Sequence, residues 1–306
     1  MIEQDVVIKS GSIALSGTMA LPDVNKQYPA VLFIAGSGEV DRNENHKKMP
    51  MNVFNELTGQ LTAQGLATLR YDKRGVGKSE GHFLSTGFFD NVRDAQSALG
   101  YLKQHENIDS NKIFIAGHSE GAYTAVKIAA EERGIAGVIL IAGGARKGEE
   151  ELMWQAEQVI GSLKGFTKWL VSALHIDPSK SQRKVIDKIY QSDKDWFRVQ
   201  VVNKINAKWM REFLDYDPAP DLAGITVPVL AINGSKDIQV DPGNLDIMDE
   251  IVKAPFEKYL VPNVTHMLRE EGNKQGLSGY KQQVGKPVDP RITSAVINWL
   301  KANLTT

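Results

Sequence analysis

The sequence predicts an α/β protein whose mostly parallel sheet is covered by helices on both faces. Two observations carry that expectation. Apolar runs of strand length alternate with amphipathic stretches of helix length, and strands buried on both faces belong to parallel sheets with helical crossovers. At the centre of the series, KIFIAGHSEG (residues 112–121) leads through Gly117-His118-Ser119-Glu120-Gly121 into the helix former AYTAVKIAAEE. Gly-x-Ser-x-Gly at a strand-to-helix junction has the form of a nucleophile elbow. The glycines relieve crowding on a tight bend, and the serine hydroxyl points out above the end of the sheet. The competing reading of these residues is an ordinary strand–helix turn capped by Ser119.

The elements follow in order. Residues 4–21 alternate as a hairpin, VVIKS and IALSGTMAL about a Gly-Ser turn. AVLFIAG (30–36) reads as a buried strand and VFNELTGQLTAQG (53–65) as a helix stopped at Gly65. LATLRYD (66–72) is the next strand and FFDNVRDAQSALGYLKQH (88–105) the next helix, before the elbow and the strand GVILIAGG (137–144). From Arg146 to Leu222 the alternation stops. The composition there is helical, no buried strand stands out, and Trp154, Trp169, Trp196 and Trp209 all fall within it. VPVLAING (227–234), FEKYLV (256–261) and a final helix ITSAVINWLKANL (292–304) resume the series. The expected organisation is an α/β core at 1–145 and 223–306 interrupted by a helical cap at 146–222.

Bulk composition narrows the function classes. The 306 residues are 42% hydrophobic and 24% charged with a formal net charge of −1, so no global field draws the chain to nucleic acid or an acidic membrane. Cysteine is absent, which excludes disulfides, thiolate metal sites and a cysteine nucleophile. The first residues lack the layout of a signal peptide, and no apolar run reaches the length of a membrane span. A cytoplasmic protein is the expectation. No cofactor or metal is expected, since no HExxH or clustered ligand set occurs. The oligomeric state is left open, a homodimer included.

A serine hydroxyl becomes a nucleophile when an imidazole takes its proton and a carboxylate orients that imidazole. With a nucleophile elbow the expected chain order is Ser, then acid, then His. Asp237 fits the acid, lying just past the strand that ends at Gly234, whereas Asp241 before Pro242 fits a turn or helix-capping aspartate better. His266, in VPNVTHML after the last strand, fits the base; His46, His82, His105 and His118 precede the nucleophile and His175 lies in the cap. An oxyanion needs two N–H donors, one from the residue after the nucleophile, Glu120, and one from the loop after the earlier strand. In that loop, Gly36-Ser37-Gly38-Glu39, the glycines let backbone approach a substrate closely, and Ser37 N–H is the expected second donor. The Glu120 carboxylate is expected to point away from the oxyanion, toward Arg42.

Together these residues resemble the α/β-hydrolase superfamily across the whole chain outside the cap. YDKRGVGKSEG (71–81) is similar to the Asp-x-Arg-Gly-x-Gly-x-Ser segment of that superfamily, which implies structural roles for Asp72, Arg74, Gly75, Gly77 and Ser79. AGSGEVDRNEN (35–45) is similar to the oxyanion loop of the EstD-like group of bacterial carboxylesterases, with its Gly-Ser-Gly-x-x-Asp-Arg pattern. That resemblance implies a serine carboxylesterase for short acyl esters, with Asp41 and Arg42 as an ion pair holding the loop. The chain starts almost at the core, without the long N-terminal region of some members. A thioesterase or acyltransferase would use the same triad, and a non-catalytic small-molecule binder would keep the pocket. Cap tryptophans facing the pocket would set acyl size, against a plain packing role for these aromatics. The polar stretch Glu270–Pro290 is long for a loop and is expected to border the site.

Overall fold

The computed structural model describes residues 1–47, 49–161, 178–199, 203–272 and 279–304. Eight strands form the central sheet: β1 (Ile2–Ser10), β2 (Ile13–Leu21), β3 (Tyr28–Ile34), β4 (Ala67–Tyr71), β5 (Ile108–His118), β6 (Gly137–Ile141), β7 (Val229–Gly234) and β8 (Phe256–Val261). Their order is β1-β2-β4-β3-β5-β6-β7-β8. The opening hairpin joins the sheet antiparallel, and every later pairing is parallel. This is the expected α/β-hydrolase architecture, with each expected strand in place.

Both faces of the sheet are buried because successive side chains serve two separate cores. Leu32, Ile34, Ile113 and Ile115 pack on one side, against α2 (Phe88–Gln104) and α3 (Glu120–Glu131). Their neighbours Val31, Phe33, Phe114 and Ala116 pack on the other. That second side is closed by α1 (Val53–Ala63) and by the final helix Pro290–Leu304, with Trp299 edge-on to Phe114 at 5.8 Å. An apolar residue at every position, rather than every second one, is what such strands require.

The strand registers place the site. Ile34 pairs with Gly117, His118 with Ile141, Ile141 with Ile232, and Gly234 with Val261. The carboxyl ends of β3, β5, β6, β7 and β8 therefore lie along one rim. After β3 the chain steps outward to β4 and then returns across β3 to β5, so connections diverge there. In open α/β sheets the crevice outside such a reversal is where ligands bind.

Between β6 and β7 the chain carries α4 (Gly148–Gly161), α5 (Pro178–Tyr190), α6 (Ala207–Asp215) and α7 (Ala219–Gly224). It also carries an antiparallel ribbon, Trp196–Val199 with Asn203–Asn206, where sequence composition suggests helix alone. The run WFRV is aromatic and β-branched, and such residues pack well on a pleated surface. Ile189, Phe197 and Ala207 make a small core of their own in this insert. Trp169 and His175 lie outside the described residues.

The insert is fastened to the main body through α6 and the start of α2. Asn206 caps α6 by accepting from Trp209 N–H at 2.9 Å, and its amide donates to the carbonyls of Phe83 and Thr86 at 2.8 and 2.7 Å. Lys208 reaches Asp90 at 2.7 Å, and Glu212 accepts Phe89 N–H at 2.9 Å. Phe213 is the apolar centre of this seam, stacked on Trp209 at 4.9 Å and edge-on to Tyr123 at 5.1 Å and Phe88 at 5.7 Å. Phe213→Ala should destabilise the protein by about 3–5 kcal/mol, read from the midpoint of urea unfolding.

Candidate active site

The elbow is built by backbone geometry. Ser119 has φ 56° and ψ −120°, a conformation that strains any residue with a side chain. Its neighbours must be bare for the chain to close. A Cβ on Gly117 would lie 2.0 Å from the Gly121 carbonyl oxygen, and one on Gly121 would lie 2.0 Å from that of Ile34. The bend presses the start of α3 against the end of β3, which brings Ser119 beside the loop at Gly36 and Ser37.

Asp237 and His266 meet at the same rim. His266 Nδ1 lies 2.8 Å from Asp237 Oδ2, both residues are buried, and the other carboxylate oxygen accepts the N–H groups of Gln239 and Val240 at 2.7 and 3.0 Å. An acceptor-only carboxylate fixes the tautomer: Nδ1 carries the proton, so Nε2 is left as the base. Gly234 makes this approach possible, since a Cβ there would lie 2.2 Å from the Val264 carbonyl oxygen. Asp241 is a turn aspartate, accepting Gly243 N–H at 2.9 Å and pairing with Arg146 at 2.6 Å.

Ser119 is brought near the pair through its neighbour. The ring of His118 lies 4.9 Å from that of His266, and His118 Nε2 lies 3.1 Å from the His266 carbonyl oxygen. The hydrogen bonds of His266 thus run to Asp237 and His118, not to the Ser119 hydroxyl. Catalytic contacts of this kind commonly tighten only with substrate bound.

Ser37, Ser119 and Glu120 line one small cavity of about 50 Å³, which continues past Ser37, Glu120, Leu152 and Trp209 into a larger one of about 310 Å³. The larger chamber is walled by Phe83, Ile205, Trp209 and Met210 as well, so the insert roofs the rim. Of the tryptophans, Trp209 lines both chambers, whereas Trp196 lies under the Lys204 ammonium at 4.7 Å.

Two expected pairings are corrected. Glu120 does not reach Arg42. Its carboxylate is held by Asn91 at 2.7 Å and by Lys73 at 3.5 Å, and Lys73 also donates to the Gly36 carbonyl at 2.5 Å. Arg42 is occupied by Asp72, its Nε and Nη2 lying 3.0 and 2.7 Å from the two carboxylate oxygens. That bidentate pair also replaces the expected Asp41–Arg42 ion pair. Asp41 instead closes its own turn by accepting the N–H groups of Asn43 and Asn45 at 2.8 and 3.0 Å. Of the stretch expected to border the site, Gln283 accepts from Thr265 at 2.7 Å and Tyr280 meets Gln239 at 3.3 Å, while residues 273–278 lie outside the described residues.

The sequence reading missed three supports. Glu44 Oε1 accepts Gly36 N–H at 2.7 Å and faces His118 Nδ1 at 3.3 Å. His118 therefore sits between two acceptors, the Glu44 carboxylate and the His266 carbonyl. Arg269, almost wholly buried, donates to the Met267 and Met51 carbonyls at 2.8 and 2.5 Å and pins the loop that carries His266. The available signals were a histidine beside Ser119, a glutamate in the loop after β3, and a charged residue inside MLRE.

Among the described residues, no helix is long and apolar enough to cross a membrane, and no cluster of three His, Cys, Asp or Glu side chains is set to hold a metal. Comparison with known proteins agrees with this fold. Residues 48–273 match the Hydrolase_4 family, described as serine aminopeptidase, S33. The chain is 28% identical to esterase EstD of Thermotoga maritima over 301 residues, covering 97% of this chain and 67% of that protein. Among solved structures it resembles Est1E of Butyrivibrio proteoclasticus with ferulic acid bound, with a TM-score of 0.67 at 20% identity over 98% of this chain and all (100%) of that one. It also resembles the Pyrococcus furiosus esterase Pf2001, with a TM-score of 0.65 at 17% identity over 98% of this chain and 91% of that one.

The His118 pair gives a pH test. Burial opposes a charge on the ring, but the Glu44 carboxylate outweighs it by attraction and hydrogen bonding, and the His266 carbonyl adds to the effect; the imidazole pKa rises above its ordinary 6.5. The folded protein then holds this proton more tightly than the unfolded chain. The stabilisation is complete below the unfolded value of about 6.5 and fades as pH rises through the raised one. The melting-temperature gap between the protein and His118→Gln should therefore narrow as pH rises from about 6.5 through the raised value, followed by calorimetry.

Proposed function

Because the chain belongs to the Hydrolase_4 family, with a catalytic rim of α/β-hydrolase form, we propose that it is a serine carboxylesterase acting on esters with a short acyl group. Ser119 Oγ attacks the ester carbonyl while His266 Nε2 takes its proton, and the buried Asp237 carboxylate steadies the imidazolium. The N–H groups of Ser37 and Glu120 bind the oxyanion. His266 then returns the proton to the departing alcohol, and water repeats the sequence on the acyl-enzyme. Residues 146–222 act as a cap whose Trp209 shapes the substrate chamber.

The observation that carries this reading is the buried 2.8 Å Asp237–His266 bond beside a serine at φ 56°. Backbone strain at Ser119, on the same rim as a buried Asp–His pair, is of little use to a passive binding protein. The family description names an aminopeptidase, and amide and ester hydrolysis share the acyl-enzyme route. The named relatives, EstD above all, favour the ester. Rates on p-nitrophenyl esters set against acyl-CoA thioesters and an aminoacyl-p-nitroanilide test that choice, and faster turnover of either alternative would overturn it.

Ser119→Ala should lower kcat on p-nitrophenyl acetate by on the order of 10⁴-fold or more while leaving the melting temperature close to unchanged. Asp237→Asn should be the milder change, since the imidazole survives without its orienting anion. Labelling by a fluorophosphonate probe should vanish in the serine variant alone.

A further inference from the structure

The peptide group that carries Ser37 N–H is gripped at its other end. Its carbonyl belongs to Gly36 and accepts from the Lys73 ammonium at 2.5 Å. The peptide bonds are trans, so the carbonyl and the N–H of one plane point in opposite directions. Ser37 N–H therefore points away from Lys73. The cavities show the same division. Ser37 and Glu120 line both chambers, whereas Lys73 lines the larger and Ser119 the smaller. Neither Ser37 N–H nor Glu120 N–H meets an acceptor among the described residues.

This peptide needs an external hold. Gly36 lies so close to the elbow that a Cβ there would stand 3.2 Å from Ser119 Cβ, and Gly38 follows Ser37 at φ 89°. With glycine on both sides, the plane between Gly36 and Ser37 turns easily unless something fixes it. Glu44 fixes the preceding plane by accepting Gly36 N–H at 2.7 Å. Lys73 fixes the plane that matters for an oxyanion.

The same ammonium lies 3.5 Å from the Glu120 carboxylate, and the two side chains are only 6% and 3% exposed. Glu120 is the first residue of α3, where a backbone N–H has no partner within the helix. One cation thus touches both residues whose N–H groups are free at the elbow. A substrate anion in the larger chamber is the competing partner for Lys73. Glu120 argues against it, because its carboxylate already matches the ammonium and would repel a second negative group.

Resting on the esterase reading above, we infer that Lys73 is a positioning residue for the oxyanion hole. It sets the Gly36–Ser37 peptide so that Ser37 N–H faces the oxyanion, and it ties that peptide to Glu120, the source of the second N–H. A cation on the carbonyl also polarises the peptide and strengthens its N–H as a donor. The benefit is realised when negative charge develops on the substrate oxygen, so its loss falls on kcat more than on KM.

Lys73→Met removes the ammonium and keeps an unbranched stem. On p-nitrophenyl acetate it should lower kcat by about 10- to 100-fold, less than the loss of a whole oxyanion donor, with KM within about twofold. Inhibition by a trifluoromethyl ketone, whose Ser119 adduct carries an oxyanion, should weaken in proportion, while binding of the matching methyl ketone stays unchanged. The double variant Lys73→Met/Glu120→Gln keeps both backbone N–H groups and leaves neither member of the ion pair unmatched. It should remain at least about tenfold slow in kcat, and it decides alone if Lys73→Met does not fold. Recovery of the double variant to the parent kcat assigns the loss to an orphaned Glu120 charge and overturns the inference. A Lys73→Met loss confined to KM marks a substrate contact and overturns it as well. Both outcomes leave the esterase reading intact. A parent protein that neither hydrolyses p-nitrophenyl acetate nor takes the fluorophosphonate label overturns that reading and the inference with it.

Discussion

The bend at Ser119 constrains the rest of the rim. A residue with a side chain sits at φ 56° only where surrounding structure forbids relaxation. Here that structure is the contact between α3 and the end of β3, closed to a distance that tolerates no Cβ at Gly117 or Gly121. The same closure sets Ser119 against the Gly36–Ser37 loop. Parallel register then brings the ends of β7 and β8, and with them Asp237 and His266, level with the bend.

Closing the rim so tightly buries charge, and the buried charges beside the bend at Ser119 are paired. Lys73 and Asn91 hold the Glu120 carboxylate, and Lys73 also grips the Gly36 carbonyl. Glu44 receives Gly36 N–H while facing His118, whose other nitrogen meets the His266 carbonyl. The loop at Gly36, the bend at Ser119 and the loop of His266 are thereby joined through one chain of hydrogen bonds. Leaving one partner of such a pair unmatched costs far more than the pair contributes, so these groups hold loop positions that apolar packing alone would leave free to slide. Arg269 does the same for a base loop that has almost no regular structure, satisfying carbonyls from distant parts of the chain.

Much of the architecture was legible in the sequence because its signals are local. An apolar run such as VILI before a loop, or FFDNVRDAQSALGYLKQ with its 3.6-residue stripe, specifies an element from within itself. Asp237 and His266 were legible for a different reason: chain order and strand ends leave few positions. The partners of Glu120 and Arg42 were not. A long cationic side chain can reach many carboxylates, and which one it meets depends on how Asp72 and Lys73 are presented at the end of β4. Asp41 shows the same limit, since aspartate followed by asparagines turns back on its own backbone as readily as it pairs with a neighbouring arginine. The ribbon at Trp196–Asn206 was hidden because a short aromatic run inside a charged, helix-rich segment carries no period long enough to read.

The residues proposed for catalysis belong to the core, and the chamber above them is shared with the insert. Ser37, Ser119, Asp237 and His266 sit at or just beyond the ends of core strands, where register fixes them, and Glu120 opens α3. To the walls of the larger chamber the insert contributes Leu152 on α4, Ile205 on the ribbon, and Trp209 with Met210 on α6. Since α6 is fastened by Asn206, Lys208 and Glu212 to the loop and helix start at 83–90, and by Phe213 to Tyr123, the chamber walls are referenced to the helix that carries the nucleophile. Tyr123 stands at that junction. Its ring meets Phe213 of the insert edge-on at 5.1 Å, so the helix that begins after Ser119 also seats the roof.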